Sequence, residues 1–445
     1  MTALNAAILF NNSTGSDTTA SGSSAGANVY GSGASTASAS AVVTGVSTTG
    51  VQAGDLLWVQ SSSGRQFSVI ASVDSGTQVT CDDTFANTES SRTWAIGGKR
   101  ATLNNADSRK LFDQSGLTGD AKAGMIVQLE SGFTDTLTSR LDIRVAQDVD
   151  AGAFVLRADP AASVQPSITV VDVVCRGFGQ RVEGIEFKNG SYLYLWKMCM
   201  AKGCKFTNMG ISGVSSPTYP IIVDSCIIDG ASSTGVAASQ NGIITNSVIR
   251  NCGEGILGSN NMSGFMVDSC LIYNNTTDGI DLNNTRVDRY GSFRIHNNII
   301  YGNGGSGIHV RSATSNESTS GSSIMNNIIV ENTSFGLNFD HASASATHLE
   351  ALSSRFKSNA FYNNTAGDRN NINADDTDIT LTTDPFVDSA ASDFNIADNT
   401  AGNTLRASNF SINTDTAVYP FRQYVSDDFD SGAGGGATIH PLYAN

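Results

Sequence analysis

Acidic residues and histidines recur beside Gly-Ile pairs between residues 254 and 309 of this chain. Glu254 and Asp278 each precede such a pair by one residue, whereas Asp281 and His309 each follow one. Two carboxyl groups can cleave a glycosidic bond when they lie about 5–5.5 Å apart for retention or about 6.5–9.5 Å apart for inversion. Glu254, Asp278 and Asp281 are therefore candidate catalytic residues if the fold stacks them.

Two further sets of side chains recur in the same region. Asp268 and His296 each stand two residues before a repeated Cys or Asn, and Tyr273 and Tyr301 each follow it by three. Together with His309 they are candidate glycan-binding residues, since aromatic faces and polar tips suit sugars. The alternatives are an ordinary solvent-facing position for the polar residues and packing within the fold for the tyrosines.

The element that would position these residues is a sequence repeat. One column of small or polar residues returns at intervals of 21 to 32 residues. Its members are Cys204, Cys226, Ser247, Cys270, Asn298, Asn327 and Asn359. Short apolar/polar alternations of four to six residues surround each member, which is the period of a strand and not of a helix.

This pattern predicts an all-β fold, a right-handed parallel β-helix, in which each strand pairs with its equivalent one coil later. The spacing of paired strands makes the rise about 4.8 Å per coil. Isoleucine columns would fill the interior, and the Cys/Ser/Asn column would form an internal ladder at a corner. A leucine-rich horseshoe lacks its leucines here, and a propeller needs blades of about 40 residues.

The chain divides into three predicted regions. Residues 1–100 combine a Ser/Thr/Gly-rich arm with alternating strands at 54–60, 65–74, 78–83 and 92–98, which predicts a small N-terminal β domain. Residues 101–400 would form the β-helix, and 401–445 a C-terminal cap or tail. A solenoid needs such covers because its end coils expose apolar surface and an unpaired edge.

Composition excludes several function classes. With 26 basic and 41 acidic residues the net charge is −15, so we expect no nucleic-acid partner. No apolar run is long enough for a membrane helix, and the first basic residue is Arg65, so we expect no secretory signal. Seven scattered cysteines without a C-x-x-C pair indicate buried thiols and no zinc site. We expect no metal and no cofactor.

The iterated segments NNIIYGNGGSGIHV and DSCLIYNNTTDGIDL resemble the pectate-lyase-like β-helix superfamily. The passage from AILFNNSTGSDTTASG to WAIGGKRATL resembles the start of β-helical proteins of tailed phages. These resemblances imply a virion location, a homotrimer, attachment to other virion proteins through residues 1–100 and contact with host surface polysaccharide. The superfamily also contains polysaccharide lyases and hydrolases.

The sequence favours a non-enzymatic virion protein, a fibre, spike or capsid-decorating appendage. An acidic solenoid places some Asp and Glu at outward positions and turns without any catalytic purpose. The alternative is a tailspike depolymerase, a hydrolase or lyase acting on a bacterial surface polysaccharide. A bacterial surface adhesin would need an export signal.

Overall fold

A computed structural model describes residues 8–10, 16, 29–62, 64–97, 101, 103, 126–143, 154–176, 179–216, 218–259, 263–284, 293–312, 322–341 and 355–407. The chain forms two units, Met1–Phe187 with Thr438–Asn445, and Lys188–Ala437. None of the helices in this described part has the length and apolar composition of a membrane span.

The first unit contains a closed antiparallel barrel. Its strands are β2 (Val29–Thr36), β3 (Ser40–Thr44), β4 (Leu56–Ser61), β5 (Gly64–Ser75), β6 (Gln78–Phe85) and β7 (Glu89–Ile96). They close in the order β2-β3-β6-β5-β4-β7 around a core that includes Leu57, Ile70 and Trp94. The small N-terminal β domain is thereby confirmed, and its last four strands coincide with the four predicted ones.

The other strands among the described residues of the first unit are parallel. They are β1 (Ile8–Phe10), β8 (Ile126–Leu129), β9 (Thr134–Thr136), β10 (Leu141–Ile143), β11 (Val155–Ala158), β12 (Ser167–Thr169), β13 (Val173–Cys175), β14 (Arg181–Glu183) and β15 (Glu186–Lys188). Strand β1 pairs with β8, with Phe10 opposite Leu129. The N-terminal strand therefore covers an edge of β8 that would otherwise be unpaired.

The second unit is a parallel β-helix with three sheets. Sheet 1 contains β17 (Cys199–Lys202), β20 (Ile221–Asp224), β23 (Ile243–Thr245), β26 (Phe265–Asp268), β29 (Phe293–His296), β32 (Ser323–Met325) and β35 (Phe356–Lys357). Sheet 2 contains β18 (Lys205–Thr207), β21 (Ile227–Asp229), β24 (Val248–Arg250), β27 (Leu271–Tyr273), β30 (Ile299–Tyr301), β33 (Ile328–Val330), β36 (Ala360–Tyr362) and β38 (Ile379–Thr380). Sheet 3 contains β16 (Leu193–Leu195), β19 (Ser212–Ser216), β22 (Thr234–Ala238), β25 (Glu254–Ser259), β28 (Ile280–Asn284), β31 (Ile308–Ser312), β34 (Phe335–His341) and β37 (Gly367–Asn370). Each coil runs through sheets 1, 2 and 3 in turn, which confirms the predicted fold class.

The corner between sheets 1 and 2 has constant length. In coil after coil one residue with positive φ, such as Ser269 or Asn297, is followed by one ladder residue. Ser, Asn and Gly suit this position because they tolerate the left-handed backbone conformation better than branched residues do. The connection from sheet 3 back to sheet 1 varies, from three residues between β16 and β17 to fourteen between β34 and β35.

The predicted ladder runs through the interior beside that corner. Asn298 Nδ2 donates to Asn327 Oδ1 at 3.0 Å, and Asn327 Nδ2 donates to Asn359 Oδ1 at 2.9 Å. All three asparagines are fully buried. The stacking that the repeat predicted is therefore confirmed, and all seven cysteines are buried thiols without a disulfide between them.

A second ladder, which the sequence analysis missed, follows sheet 2. The amide of Asn275 donates to Asn303 at 2.9 Å, that of Asn303 to Asn332 at 2.9 Å, and that of Asn332 to Asn364 at 2.9 Å. Each member follows a member of the first ladder by five residues. Two amide ladders therefore hold successive coils in register on both sides of sheet 2.

Residues 386–407 form a segment that we call the C-terminal strap. It contains β39 (Phe386–Asp388), a 3₁₀ helix (Ser389–Ala391), β40 (Asp393–Ile396) and α1 (Thr400–Ala407). Phe386, Phe394 and Leu405 of the strap pack on outward residues of sheet 2 such as Leu271 and Tyr273. The C-terminal cover therefore lies along the flank of several coils. Residues 408–445 lie outside the described residues, and the predicted boundaries at 100 and 400 stay predictions.

Candidate active site

Glu254 and Asp278 are placed by two glycines at the entrance to sheet 3. A Cβ atom on Gly255 would lie 2.3 Å from the carbonyl oxygen of Gly279, and one on Gly279 would lie 2.7 Å from that of Gly307. Only glycine allows this close approach of neighbouring coils. The residue before each glycine therefore holds the same place in successive coils, as the Gly-Ile spacing predicted.

Strands β28 and β31 supply the other polar residues. The register pairs Asp281 with His309 and Asn283 with Arg311. Since side chains alternate along a strand, His309 and Arg311 lie on the same face, opposite the buried Ile308 and Val310. We call Glu254, Asp278, Asp281, His309 and Arg311 the acidic cluster.

Asp278 receives three contacts within the acidic cluster and its turn. The backbone N–H of Ser306 donates to Asp278 Oδ1 at 2.6 Å. His309 Nδ1 lies 3.0 Å and Arg311 Nη2 3.1 Å from Asp278 Oδ2. Burial by itself would raise the pKa of Asp278, but these contacts outweigh it and hold the pKa below its ordinary value. Asp278 is therefore ionised at neutral pH.

Glu254 and Asp281 form a carboxyl pair. Burial, together with the negative charge of Asp281 and a hydrogen bond that Glu254 donates to it, raises the pKa of Glu254 to about 8. Burial also raises the pKa of Asp281, while the ion pair with Arg311 opposes that rise. Glu254 therefore keeps its proton at neutral pH and shares it in the hydrogen bond to Asp281, and the two carboxyl groups titrate as a coupled pair.

Arg311 closes the acidic cluster toward solvent. Its side chain is 44% exposed, while those of Asp278 and Asp281 are 9% and 4% exposed. Arg311 Nε lies 3.0 Å from Asp281 Oδ1. The contact is an ion pair and lacks the alignment of a hydrogen bond, because Oδ1 accepts none from the described residues. His309 Nε2 is also buried and has no hydrogen-bond partner among the described residues.

Three members of the acidic cluster offer ligand atoms for a cation. One atom each of Asp278, Asp281 and His309 lies within 4.8 Å of the others. Arg311, however, already contacts both carboxylates and supplies the positive charge that they need. A divalent cation would have to displace this side chain, so we derive no step through a metal.

The structure does not bring the other predicted residues to the acidic cluster. Asp268 and His296 are paired in register, as predicted, but on sheet 1. There Asp268 accepts hydrogen bonds from Ser269 and Asn297, and His296 Nε2 lies 2.7 Å from Ser323 Oγ. Asp268 and His296 therefore lie on a different sheet from the acidic cluster, because the coil turns corners between sheet 1 and sheet 3.

The tyrosine column lies on the outward face of sheet 2, under the C-terminal strap. Tyr273 and Tyr301 are paired in register, and both pack against Phe394 with ring centroids 5.0 and 5.3 Å away. Tyr273 is 3% exposed, and Tyr301 donates its hydroxyl proton to Glu331. Both rings therefore pack beneath the C-terminal strap, which agrees with the packing alternative for this column.

Sequence reasoning missed two residues of the site. Arg311 follows His309 by two positions, and strand alternation alone would have placed it on the same face. The Ser306 backbone N–H gave no signal in the sequence, because the donor belongs to the main chain.

Comparisons with known proteins agree with this fold. A family model described as a right-handed beta helix region matches residues 183–350. The part of this range that the structure describes forms a right-handed parallel β-helix. No curated protein sequence matches it.

Several solved structures resemble this β-helix at low identity. The Agl-KA catalytic domain is 13% identical, with 82% of this chain and 88% of that chain covered and a TM-score of 0.35. The tailspike protein gp49 from Pseudomonas phage LKA1 is 14% identical, with coverages of 78% and 64% and a TM-score of 0.26. The A-module of mannuronan C-5 epimerase AlgE4 from Azotobacter vinelandii is 12% identical, with coverages of 63% and 94% and a TM-score of 0.27.

Proposed function

We propose that this β-helix hydrolyses glycosidic bonds of a polysaccharide, with Glu254 as the general acid. The observation that carries the proposal is the arrangement of three carboxyl groups from two adjacent coils on one side of the solenoid. One of them, Glu254, is hydrogen-bonded to Asp281, while Asp278 is held as a carboxylate by His309 and Arg311. When the surroundings raise the pKa of one carboxyl group and lower that of its neighbour, the first can act as the acid and the second stays a carboxylate.

The chemistry follows from these protonation states. Glu254 donates its proton to the glycosidic oxygen as the bond to the anomeric carbon breaks. The carboxylate of Asp278 stabilises the positive charge that develops on the sugar ring. A water oxygen then bonds to the anomeric carbon, and its proton passes to Asp281 and through the hydrogen bond back to Glu254.

The negative charge of the acidic cluster favours a substrate made of neutral sugars, and therefore hydrolysis over elimination. A lyase must bind and neutralise the carboxylate of a uronic acid. The acidic cluster holds three carboxyl groups, and its arginine is already paired with Asp278 and Asp281. A uronate entering there would meet negative charge without a cation of its own.

The non-enzymatic virion role is the second candidate function. It is favoured by the burial of the Asp278 and Asp281 side chains, which are only 9% and 4% exposed, since a buried ion network can serve structure alone. The homotrimer, the virion location, binding of host surface polysaccharide and attachment through residues 1–100 stay predictions under either function.

The test compares Glu254→Gln with the matched control Asp268→Asn, which alters a carboxylate on sheet 1. Each protein is incubated with capsular polysaccharide and lipopolysaccharide of candidate hosts, and with dextran, pullulan and laminarin. New reducing ends and unsaturated products are both measured. We expect reducing ends from the parent and the control, and a rate roughly 10²–10⁴-fold lower for Glu254→Gln.

Either of two results would contradict the proposal. The first is an equal rate for Glu254→Gln and the parent, because the general acid would then be elsewhere. The second is the absence of product from every polysaccharide, which would favour the structural role. If unsaturated products were found, the reaction would be an elimination and not a hydrolysis.

A further inference from the structure

Four aromatic residues gather at the N-terminal end of sheet 3 in the second unit. We call Tyr192, Tyr194, Trp196 and Tyr219 the aromatic cluster. Tyr194 lies between Tyr192 and Trp196, with ring centroids 5.8 and 5.7 Å away, and Trp196 stacks on Tyr219 at 5.2 Å and 27°. All four side chains are partly exposed.

The register of sheet 3 joins the aromatic cluster to the acidic cluster. Tyr194 is paired with Ser215, and the same column continues through Ala237 and Leu257 to Asp281. The ring of Tyr194 therefore lies four strand spacings of about 4.8 Å, or about 19 Å, along the axis from Asp281. Ser215, Ala237 and Leu257 are partly exposed and carry no charge.

We propose that the aromatic cluster is a remote sugar-binding subsite, and that the substrate of the acidic cluster is a long, neutral polysaccharide lying along the outward face of sheet 3. The proposal rests on the proposed function, because the chain must reach from the aromatic cluster to the acidic cluster. A single sugar or a disaccharide cannot span that distance.

The chemistry of the face fits this occupant. Aromatic rings with polar tips bind the apolar faces of sugar rings and their hydroxyl groups together. The intervening column is uncharged, so it can lie against a neutral chain that carries no charges of its own. A second copy of this protein could also cover an aromatic patch, but nothing in that case would align the patch with the carboxyl groups of the acidic cluster.

The experiment measures binding and hydrolysis separately. Dextran, pullulan and laminarin are the probes, each as the polymer and as its short oligosaccharides. Binding to Glu254→Gln protein is followed by tryptophan fluorescence, since Trp196 is one of only three tryptophans, and by calorimetry. The variants are Tyr194→Ala and Trp196→Ala, the ring-retaining Tyr194→Phe, and Tyr30→Ala as a control at a tyrosine 59% exposed in the barrel.

We expect Tyr194→Ala and Trp196→Ala each to weaken binding of the polymer by about tenfold and to leave binding of its short oligosaccharides unchanged. Tyr30→Ala should bind the polymer like the parent, and Tyr194→Phe, which keeps the ring, should lose less affinity than Tyr194→Ala. In proteins with Glu254 intact, the same aromatic losses should raise KM for the polymer and leave kcat unchanged.

Three results would overturn the subsite. One is equal affinity of the alanine variants and the parent for the polymer, and another is the absence of binding to every probe. The third is a change of oligomeric state in Tyr194→Ala without a change in affinity, because the patch would then be an interface between copies. Polymer binding that needs the aromatic cluster, without hydrolysis by the parent, would retain the subsite and remove only the proposed function.

Discussion

Sheets 2 and 3 turn very different outward faces from the same coils. On sheet 2 the outward residues from β27 to β36 are apolar or aromatic and pack with the C-terminal strap, as at Leu271 and Tyr273. On sheet 3 the coils that begin with β26 and β29 present Asp281 and His309, with Arg311 as their cover. The outward face of sheet 2 stabilises the fold, and that of sheet 3 holds titratable side chains that are partly shielded from solvent.

The difference teaches where chemistry can arise in a solenoid. Inward positions are fixed by stacking, because each isoleucine or asparagine must match its neighbours in the coils before and after. Outward positions are free of that constraint. One outward column of sheet 3 changes from Ala237 and Leu257 to Asp281 and His309. Such a change in residue type therefore indicates more about function than the repeat itself does.

The largest expected effect on this comparison comes from the sheet 2 face. Phe394→Ala removes a ring that contacts Tyr273, Tyr301 and Phe386. We expect it to lower the free energy of unfolding by about 3–5 kcal/mol, as for other buried aromatic truncations, without changing hydrolysis by the folded protein. Urea denaturation and a rate at a temperature where the variant is folded check this.

The control for Phe394→Ala is Val387→Ala, at a strap residue 58% exposed. It should change stability by less than about 0.5 kcal/mol. An equally small effect of Phe394→Ala on stability would show that the strap does not stabilise sheet 2. A loss of activity in folded Phe394→Ala would show that the outward face of sheet 2 also affects hydrolysis on sheet 3.

A smaller effect concerns the carboxyl pair on sheet 3. Asp281→Asn removes the negative charge that helps to raise the pKa of Glu254 to about 8. The pKa of Glu254 should then fall, so the alkaline limb of the pH–rate profile should move to lower pH. We expect at least a roughly tenfold lower rate near neutral pH.

Complete pH–rate profiles of Asp281→Asn, of the parent and of the control Asp268→Asn measure this shift. An alkaline limb at the same pH in all three proteins would mean that Glu254 is not the titrating acid.

The smallest effect concerns stability at sheet 3. The pKa of Glu254 is about 8 in the fold against an ordinary 4.5, so between these pH values the folded protein binds more protons than the unfolded one. The free energy of unfolding therefore falls as pH rises through this window. Glu254→Gln does not lose stability in this way. At alkaline pH its free energy of unfolding should exceed that of the parent by on the order of 1 kcal/mol, since the Glu254 carboxyl is only partly shielded from solvent.

Denaturation of both proteins from about pH 5 to about pH 9 tests the sign. A stability difference that does not grow with pH would contradict the raised pKa.

The fold could be predicted from the sequence because its rules are local and repeated. The spacing of Cys270, Asn298 and Asn327 fixed the coil, and those residues are stacked. The cover of sheet 2 was also visible in principle, since pairs such as Ile299-Ile300 place apolar residues on both faces of a strand. Which segment supplies that cover depends on contacts between distant parts of the chain.

The acidic cluster could be predicted only in part. The columns of Glu254 with Asp278 and of Asp281 with His309 follow from spacing, and both exist in the register. Asp268 and Tyr273 lie on sheets 1 and 2, because neighbours along a coil are directed to different sheets. The proton shared by Glu254 and Asp281 depends on side-chain burial, which spacing does not encode.

The unequal connections of the coil have an evolutionary consequence. The corner before sheet 2 cannot gain a residue without breaking the amide ladder, whereas the passage from sheet 3 to sheet 1 already ranges from three to fourteen residues. Insertions can therefore accumulate along one edge of the solenoid, beside the outward face of sheet 3. Such a scaffold can diversify what it recognises by lengthening loops there while its stacked interior stays unaltered.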